Sequence, residues 1–212
     1  KASSLEAIKL SEKFDFVFAA IGIHPHEAAD AKENDLEELK ALYSKEKVVA
    51  VGEIGLDYHY DFSPREVQLE FFEKQIILAN ELDLPIIVHD REAHEDTMNL
   101  LKKHKPKGVV HCFSGSAEMA KEVLKLGMCI GLGGAVTFKN ARKPLEVAAI
   151  VPEDKLLLET DCPYMAPVPF RGTRCDSSMI AYTAEKLAEV RGTNTQELID
   201  KCRENAKVLF GV

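Results

Sequence analysis

Six apolar runs of strand length alternate with segments of helical period along this chain, and that alternation narrows the possible folds more than any other feature. The runs are VFAAIGI (17 to 23), VVAVGEIGL (48 to 56), PIIVH (85 to 89), GVVHCF (108 to 113), MCIGLGG (128 to 134) and KLLLET (155 to 160). Between them, residues 34 to 47, 64 to 82, 92 to 104, 116 to 127 and 141 to 151 carry apolar side chains at helical spacing. A strand followed repeatedly by a helix implies parallel pairing, because the chain must cross back before the next strand begins. Ser116 and Pro64 mark helix starts, and Gly108 and Gly127 stand where helices are expected to stop. Two more helical segments, 177 to 192 and 195 to 211, follow with no strand between them and predict a closing helical cap.

Six parallel strands suit either an open doubly wound sheet or part of an eight-stranded barrel, and the polar residues separate the two. Every run except MCIGLGG ends in candidate chemistry: His24 and His26, Glu53 and Asp57, His89 and Arg91, His111, then Glu159 and Asp161. In a barrel the active site gathers at the C-terminal ends of several strands. No GxGxxG fingerprint opens a helix, which weakens a dinucleotide-binding sheet. The expected fold is therefore α/β, a TIM-type (β/α)8 barrel with six of its eight strands present and C-terminal helices, forming one domain over residues 1 to 212. The chain opens on Lys1 inside an apparent helix and without an initiator Met, so an incomplete N terminus is expected.

The 212 residues are 46% hydrophobic, enough for a full-sized core. A net charge of -8 argues against a broad basic surface that would hold nucleic acid by counterion release, so an anionic substrate would need local cations or metal. Five cysteines without a CxxC pair suggest neither a disulfide framework nor a zinc ribbon, and a reducing cytoplasm fits them. No run approaches the length of a membrane span, and no signal-peptide pattern is present.

Imidazoles and carboxylates on converging strand ends are what a divalent cation requires, and a mixed N/O set accepts Zn, Mn, Fe, Ni or Mg. Glu53, His89, His111 and Asp161 are the candidate metal ligands, one from each of four strands. Taken singly, a strand-end histidine is more often a hydrogen-bonded structural residue, and Glu53 between glycines could cap a turn. Arg91 and Arg171 could each grip a phosphate in a bidentate fork or neutralise a carboxylate. His24 and His26 flank the rigid turn at Pro25 and read as a ligand pair or as loop histidines bonded to carbonyls. His59, in a Tyr-rich loop, is a substrate-contact candidate, although solvated loop histidines are commoner. Cys112 and Cys162 read as buried packing residues, with a Cys-His hydrolase as the alternative use of such a thiol.

The segments GIHPHEA, VGEIGLDYHY, PREVQLEFFEKQ, LPIIVHDREA, GVVHCFSGS, IGLGGAVTFKN, LLLETDCPYMAPVPFRG and ENAKVLFG closely resemble the TatD family of metal-dependent deoxyribonucleases, within the amidohydrolase superfamily. The resemblance runs from about residue 16 to the end; only RCDSSMI (174 to 180) departs, where the family has an Asn-rich turn and an aromatic residue. It implies a barrel hydrolase with two divalent metal ions (Mg, Mn or Zn). Glu53 would bridge them, His89 and His111 would complete one site, and Asp161 would bind the other metal and position or deprotonate the attacking water. Arg91, Arg171, His24 and His26 would be candidates for holding phosphates of the substrate, while His59 stays a substrate-contact candidate from its loop position alone. The family's first strand carries an H-x-H pair that this chain does not contain, so only one metal site is expected to be fully supplied. The implied activity is phosphodiester hydrolysis on DNA, as a 3'-5' exonuclease on single-stranded or frayed ends. DNA is the expected partner, with no membrane and no obligate protein partner. The rivals are an amide or ester hydrolase (deacylase) of the same superfamily and an inactive metal-binding barrel.

Overall fold

The computed structural model describes residues 2 to 212, apart from the side chain of Glu33. Among the described residues six strands are present, β1 (Ala19–Ile21), β2 (Val48–Asp57), β3 (Ile86–Arg91), β4 (Gly108–Val110), β5 (Cys129–Leu132) and β6 (Leu156–Leu158), and their order in the sheet is the order of the chain. The pairs β1/β2, β2/β3 and β5/β6 are parallel, as the alternation with helices requires. The helices are α1 (Ala2–Lys13), α2 (Glu33–Leu42), α3 (Arg65–Leu82), α4 (His94–His104), α5 (Ala117–Lys125), α6 (Arg142–Ile150), α7 (Ile180–Arg191) and α8 (Thr195–Phe210). The α/β class, the six strands and the two closing helices agree with the sequence reading.

The chain divides into two compact units, one ending at Val109 and including Phe210–Val212, the other Val110–Leu209. In the first, β2 is buried along nearly its whole length, and Val51, Ile54, Leu56, Ile86 and Val88 are inaccessible to solvent. Such unbroken burial belongs to a parallel strand covered on both faces. The β2/β3 ladder pairs Gly55 with His89, Leu56 with Asp90 and Asp57 with Arg91, and it continues through the Tyr58 N–H to the Arg91 carbonyl at 2.9 Å. Strand β3 therefore does not stop at the apolar run. It carries its ionisable residues outward while its backbone stays paired.

Two polar side chains lie on the buried face of α3 among Phe71, Phe72, Ile76 and Ala79. Gln75 accepts from the Ile23 N–H at 2.7 Å and donates to the Ile23 carbonyl at 3.0 Å. Two turns earlier, Gln68 accepts from the Asp57 N–H at 2.8 Å and donates to the carbonyls of Asp57 and Ser63 at 3.2 and 2.8 Å. Each amide replaces ladder hydrogen bonds that the strand end can no longer make, in a place closed to water.

In the second unit, Asn205 of α8 donates to the carbonyls of Glu153 and Leu156 at 2.6 and 2.9 Å and ties the last helix to the entry of β6. Arg191 of α7 donates to the carbonyls of Ala148 and Val151 at 2.7 and 2.8 Å, closing the end of α6. The Ser116 hydroxyl accepts from the Met119 N–H and caps α5, and Gly127, at φ 83°, follows its end, both as the sequence predicts. Gly108 does not end a helix. Helix α4 stops at Lys105 in the left-handed region, and Gly108 opens β4, where a Cβ would strike the Ile86 carbonyl.

Gly55 has φ +146°, and a Cβ there would collide with the His89 carbonyl oxygen across the ladder. Gly55→Ala is expected to destabilise the fold by about 2 to 4 kcal/mol, from backbone strain added to overpacking. A fall in the urea midpoint with unchanged slope checks it; an unaltered midpoint would show that β2 and β3 can separate without cost.

Candidate metal centre

The first unit gathers His24, His26, Glu53, Asp57 and His89. Gln75 fixes the backbone of Ile23 immediately before His24, and the Ser63 hydroxyl, donating to the His26 carbonyl at 3.1 Å and accepting from the Ala29 N–H at 3.0 Å, fixes the other side of the turn. Pro25 starts a short 3-10 turn, with the His24 Nδ1 accepting from the His26 N–H at 3.2 Å. That bond leaves the His24 Nε2 directed toward the Glu53 carboxylate, 3.6 Å away. One nitrogen from each of His24, His26 and His89 can be chosen so that all lie within 4.8 Å of one another.

Asp57 is completely buried at the end of β2. Its Oδ1 accepts from the backbone N–H groups of His59 and Tyr60 at 3.0 and 2.9 Å. Its Oδ2 lies 2.7 Å from the His26 Nε2 and 3.1 Å from the His89 Nε2. Burial pushes this carboxyl group upward, but the Tyr60 N–H, the His26 and His89 rings and the positive charge available to His89 outweigh it and hold the pKa down at about 2. The other ring nitrogen of His89 lies 2.7 Å from the Glu53 carboxylate, so this histidine stands between two acids. Asp57, named in the sequence only as a strand-end acid, thus organises two of the candidate ligands. The signal was its spacing four residues after Glu53 in GEIGLD, which puts both on one strand and on the same side of it.

The second unit presents His111, Cys112, Glu159 and Asp161. Ligand atoms of His111, Cys112 and Asp161 lie within 4.8 Å of one another. Glu159 accepts from the Cys112 N–H, and its other oxygen lies 3.6 Å from the His111 Nδ1. Gly131 makes room for this carboxylate, since a Cβ there would strike the Glu159 Oε2. Burial pushes the Cys112 thiol up to about 12, with the Glu159 charge adding to it, so it is not the thiolate a Cys-His hydrolase needs. Cys162 is exposed, not buried as expected, because β6 ends at Leu158 and the chain has left the sheet before it.

The remaining candidates lie on the surface. Arg91 and Arg171 have no acidic partner among the described residues, against the ion-pair reading. Their guanidinium groups lie over the rings of Tyr60 and Phe138, at 4.6 and 3.9 Å. The His59 Nδ1 lies 2.9 Å from Glu92 in an exposed pair. Tyr60 and Phe62, which the sequence reading left without a role, are stacked 5.2 Å apart beside His26 and are 48% and 65% exposed. A cavity of about 490 Å³ in the same unit is lined in part by His24, His26, Gly52 and Glu53.

Nitrogen and carboxylate donors at this density fit a divalent cation: His24, His26, His89 and Glu53 in the first unit, His111 and Asp161 in the second. Asp57 would then serve as an acid behind His26 and His89 that orients their rings. Because its folded pKa lies below the ordinary 3.8, its stabilising contribution is complete above about pH 4 and is lost as the pH falls toward 2. Under chelator, the stability difference between the protein and Asp57→Asn, read by urea titration at each pH, is expected to shrink across that interval. A difference constant down to pH 2 would contradict the assigned hydrogen bonds.

Comparison with known proteins points to metal-dependent hydrolases. The family model described as TatD related DNase matches residues 1–211. An uncharacterized metal-dependent hydrolase of Bacillus subtilis, YabD, is 49% identical over 209 residues, covering 97% of this chain and 82% of its own. The 3'-5' ssDNA/RNA exonuclease TatD of Pantoea ananatis is 34% identical over 218 residues, covering 99% of this chain and 84% of its own. Among solved structures, the TatD homologue YJJV of Escherichia coli superposes with a TM-score of 0.92 at 36% identity, over 98% of this chain and 82% of that one. Like these neighbours the chain has the α/β, TIM-type barrel fold, of which it supplies six strands. The chain belongs to the TatD-related DNase family of metal-dependent hydrolases.

Proposed function

We propose that this protein is a single-domain, cytoplasmic phosphodiesterase acting on single-stranded or frayed DNA from the 3' end. The observation that carries this reading is the group of three histidines and two carboxylates at the strand ends of the first unit, in a member of a metal-dependent hydrolase family. Relatives named as 3'-5' ssDNA/RNA exonucleases support the substrate class.

Glu53, His89, His111 and Asp161 are the proposed ligands of the divalent ions, with His24 and His26 as further donors. Bound divalent ions supply an acidified water and neutralise charge developing on the phosphoryl oxygens. The chain's own residues do the rest. Asp161 holds the attacking water in line and takes its proton. Arg91 and Arg171 offer planar forks of N–H donors to the flanking phosphates. The outer face of Phe62, stacked on Tyr60, offers a base a flat apolar surface beside the histidines. An amide or ester hydrolase would use the same ions on a carbonyl, but would have no need of an exposed aromatic pair next to an arginine.

The test is product analysis with Mg or Mn. Nucleotides released from linear single strands, and far more slowly from circular ones, are expected; ammonia or acid released from small amides with DNA left intact would establish the rival. Asp161→Asn keeps the ligand's shape and removes its charge, so turnover is expected to fall at least about a hundredfold, as disturbing even outer partners of a metal costs ten to a hundredfold. Circular dichroism should be unchanged, and near-normal turnover would remove Asp161 from its role. His89→Ala should in addition lower the metal content measured by elemental analysis.

Phe62→Ala removes the exposed stacking face. The Michaelis constant for a single-stranded oligonucleotide is expected to rise about tenfold, the equivalent of about 1.4 kcal/mol and within the range for one stacked base. An unchanged constant for oligonucleotides would rule out this surface as the resting place of a base.

A further inference from the structure

Cys162 and Cys175 bring their sulfur atoms to 3.6 Å from one another. Cys162 is exposed and lies on the loop that leaves β6; Cys175 is 2% exposed and lies in the stretch RCDSSMI. Their loops are already joined by backbone, since the Cys175 N–H donates to the Pro163 carbonyl at 3.0 Å. The Cys162 sulfur also lies 3.1 Å from the Thr160 hydroxyl. Closing the sulfurs to a bond of about 2.0 Å requires them to approach by roughly 1.6 Å.

We propose that Cys162 and Cys175 form a reversible dithiol–disulfide site whose oxidant is a peroxide. The accessible sulfur of Cys162 attacks the peroxide O–O bond, becoming a sulfenic acid and releasing an alcohol, or water from hydrogen peroxide. The Cys175 sulfur then attacks the sulfenic sulfur; the S–O bond breaks, and its hydroxyl leaves as water with the Cys175 proton. Two electrons pass from the sulfur pair to the peroxide oxygen, and a thiol reductant restores both thiols. The exposed partner meets the oxidant and the buried partner resolves it, a division of labour that follows from their different accessibility. The bond would tie the start of the segment carrying Tyr164, Met165 and Arg171 to its end. The site does not depend on the hydrolase reading and holds whatever the substrate.

Trypsin offers a direct readout, because it cuts after Lys155, Arg171, Arg174 and Lys186 and so leaves Cys162 in peptide 156–171 and Cys175 in peptide 175–186. The native protein is treated with hydrogen peroxide, its remaining thiols are alkylated under denaturing conditions, and the digest is read by mass spectrometry. The expected result is the two peptides joined, with three cysteines alkylated and the link lost on reduction. In Cys175→Ser, dimedone should instead trap a sulfenic acid on Cys162. The proposal is overturned if both peptides appear singly alkylated, if Cys162 is carried on to a sulfinic acid while Cys175 stays free, or if Cys162 is linked to another cysteine.

Discussion

The strand ends of the first unit are held in place by two buried glutamine side chains. A parallel strand that runs past its neighbours loses ladder partners at its tip, and an amide N–H or carbonyl left unpaired in the interior costs about 1 to 3 kcal/mol. Gln75 pairs with both backbone groups of Ile23, and Gln68 does the same for Asp57. The residue that follows the first clamp is His24; the residue held by the second is Asp57. The candidate ligands of β1 and β2 are therefore fixed by the helix that packs over these strands. A charged residue could not replace either glutamine, because each must donate and accept at once.

From those clamps the electrostatics follow. Asp57 is shut away from water, yet every oxygen it has is used: two backbone N–H groups on one side, two imidazoles on the other. A carboxylate so supplied remains ionised, and it dictates which faces His26 and His89 turn toward it. The exposed aromatic pair Tyr60 and Phe62 hangs from the same residue, since the turn that presents them begins with the Asp57–Tyr60 hydrogen bond. Ligand orientation and the proposed base-stacking surface thus share one anchor.

Much of this could be read in the sequence, for physical reasons that differ by element. The strands were legible because burial on both faces leaves apolar runs such as PIIV, and the helices because α3 and α5 bury one face only. The strand-end acids and histidines stood out because nothing in a packed core explains them. The order of importance among them was not legible: Asp57 looked like an afterthought to Glu53, and only the geometry gives it four partners. Gln68 and Gln75 were written in the sequence as two neutral amides seven residues apart, on the face of α3 that carries Phe71 and Phe72. The pattern marks a buried polar pair but not the backbone it serves. The reading of Cys162 as buried fails because it continues the strand too far: β6 ends at Leu158, so Cys162 obeys loop geometry, not strand alternation.

A net charge of -8 has to be reconciled with the proposed polyanionic substrate, and the two arginines suggest how. An arginine whose fork is closed by a carboxylate has little left for a phosphate. Arg65, bonded to Asp61 by both Nε and a terminal nitrogen, is of that kind. Arg91 and Arg171 are placed differently, each with its guanidinium carbon over an aromatic ring. A ring restrains the plane of the group and favours its charge, but it occupies the face and not the N–H donors along the edge. Neither fork is closed by a carboxylate among the described residues. Such a protein needs no broad basic surface. On the proposed reading, local arginines and bound dications would supply the positive charge that a phosphate needs, without a broad basic surface.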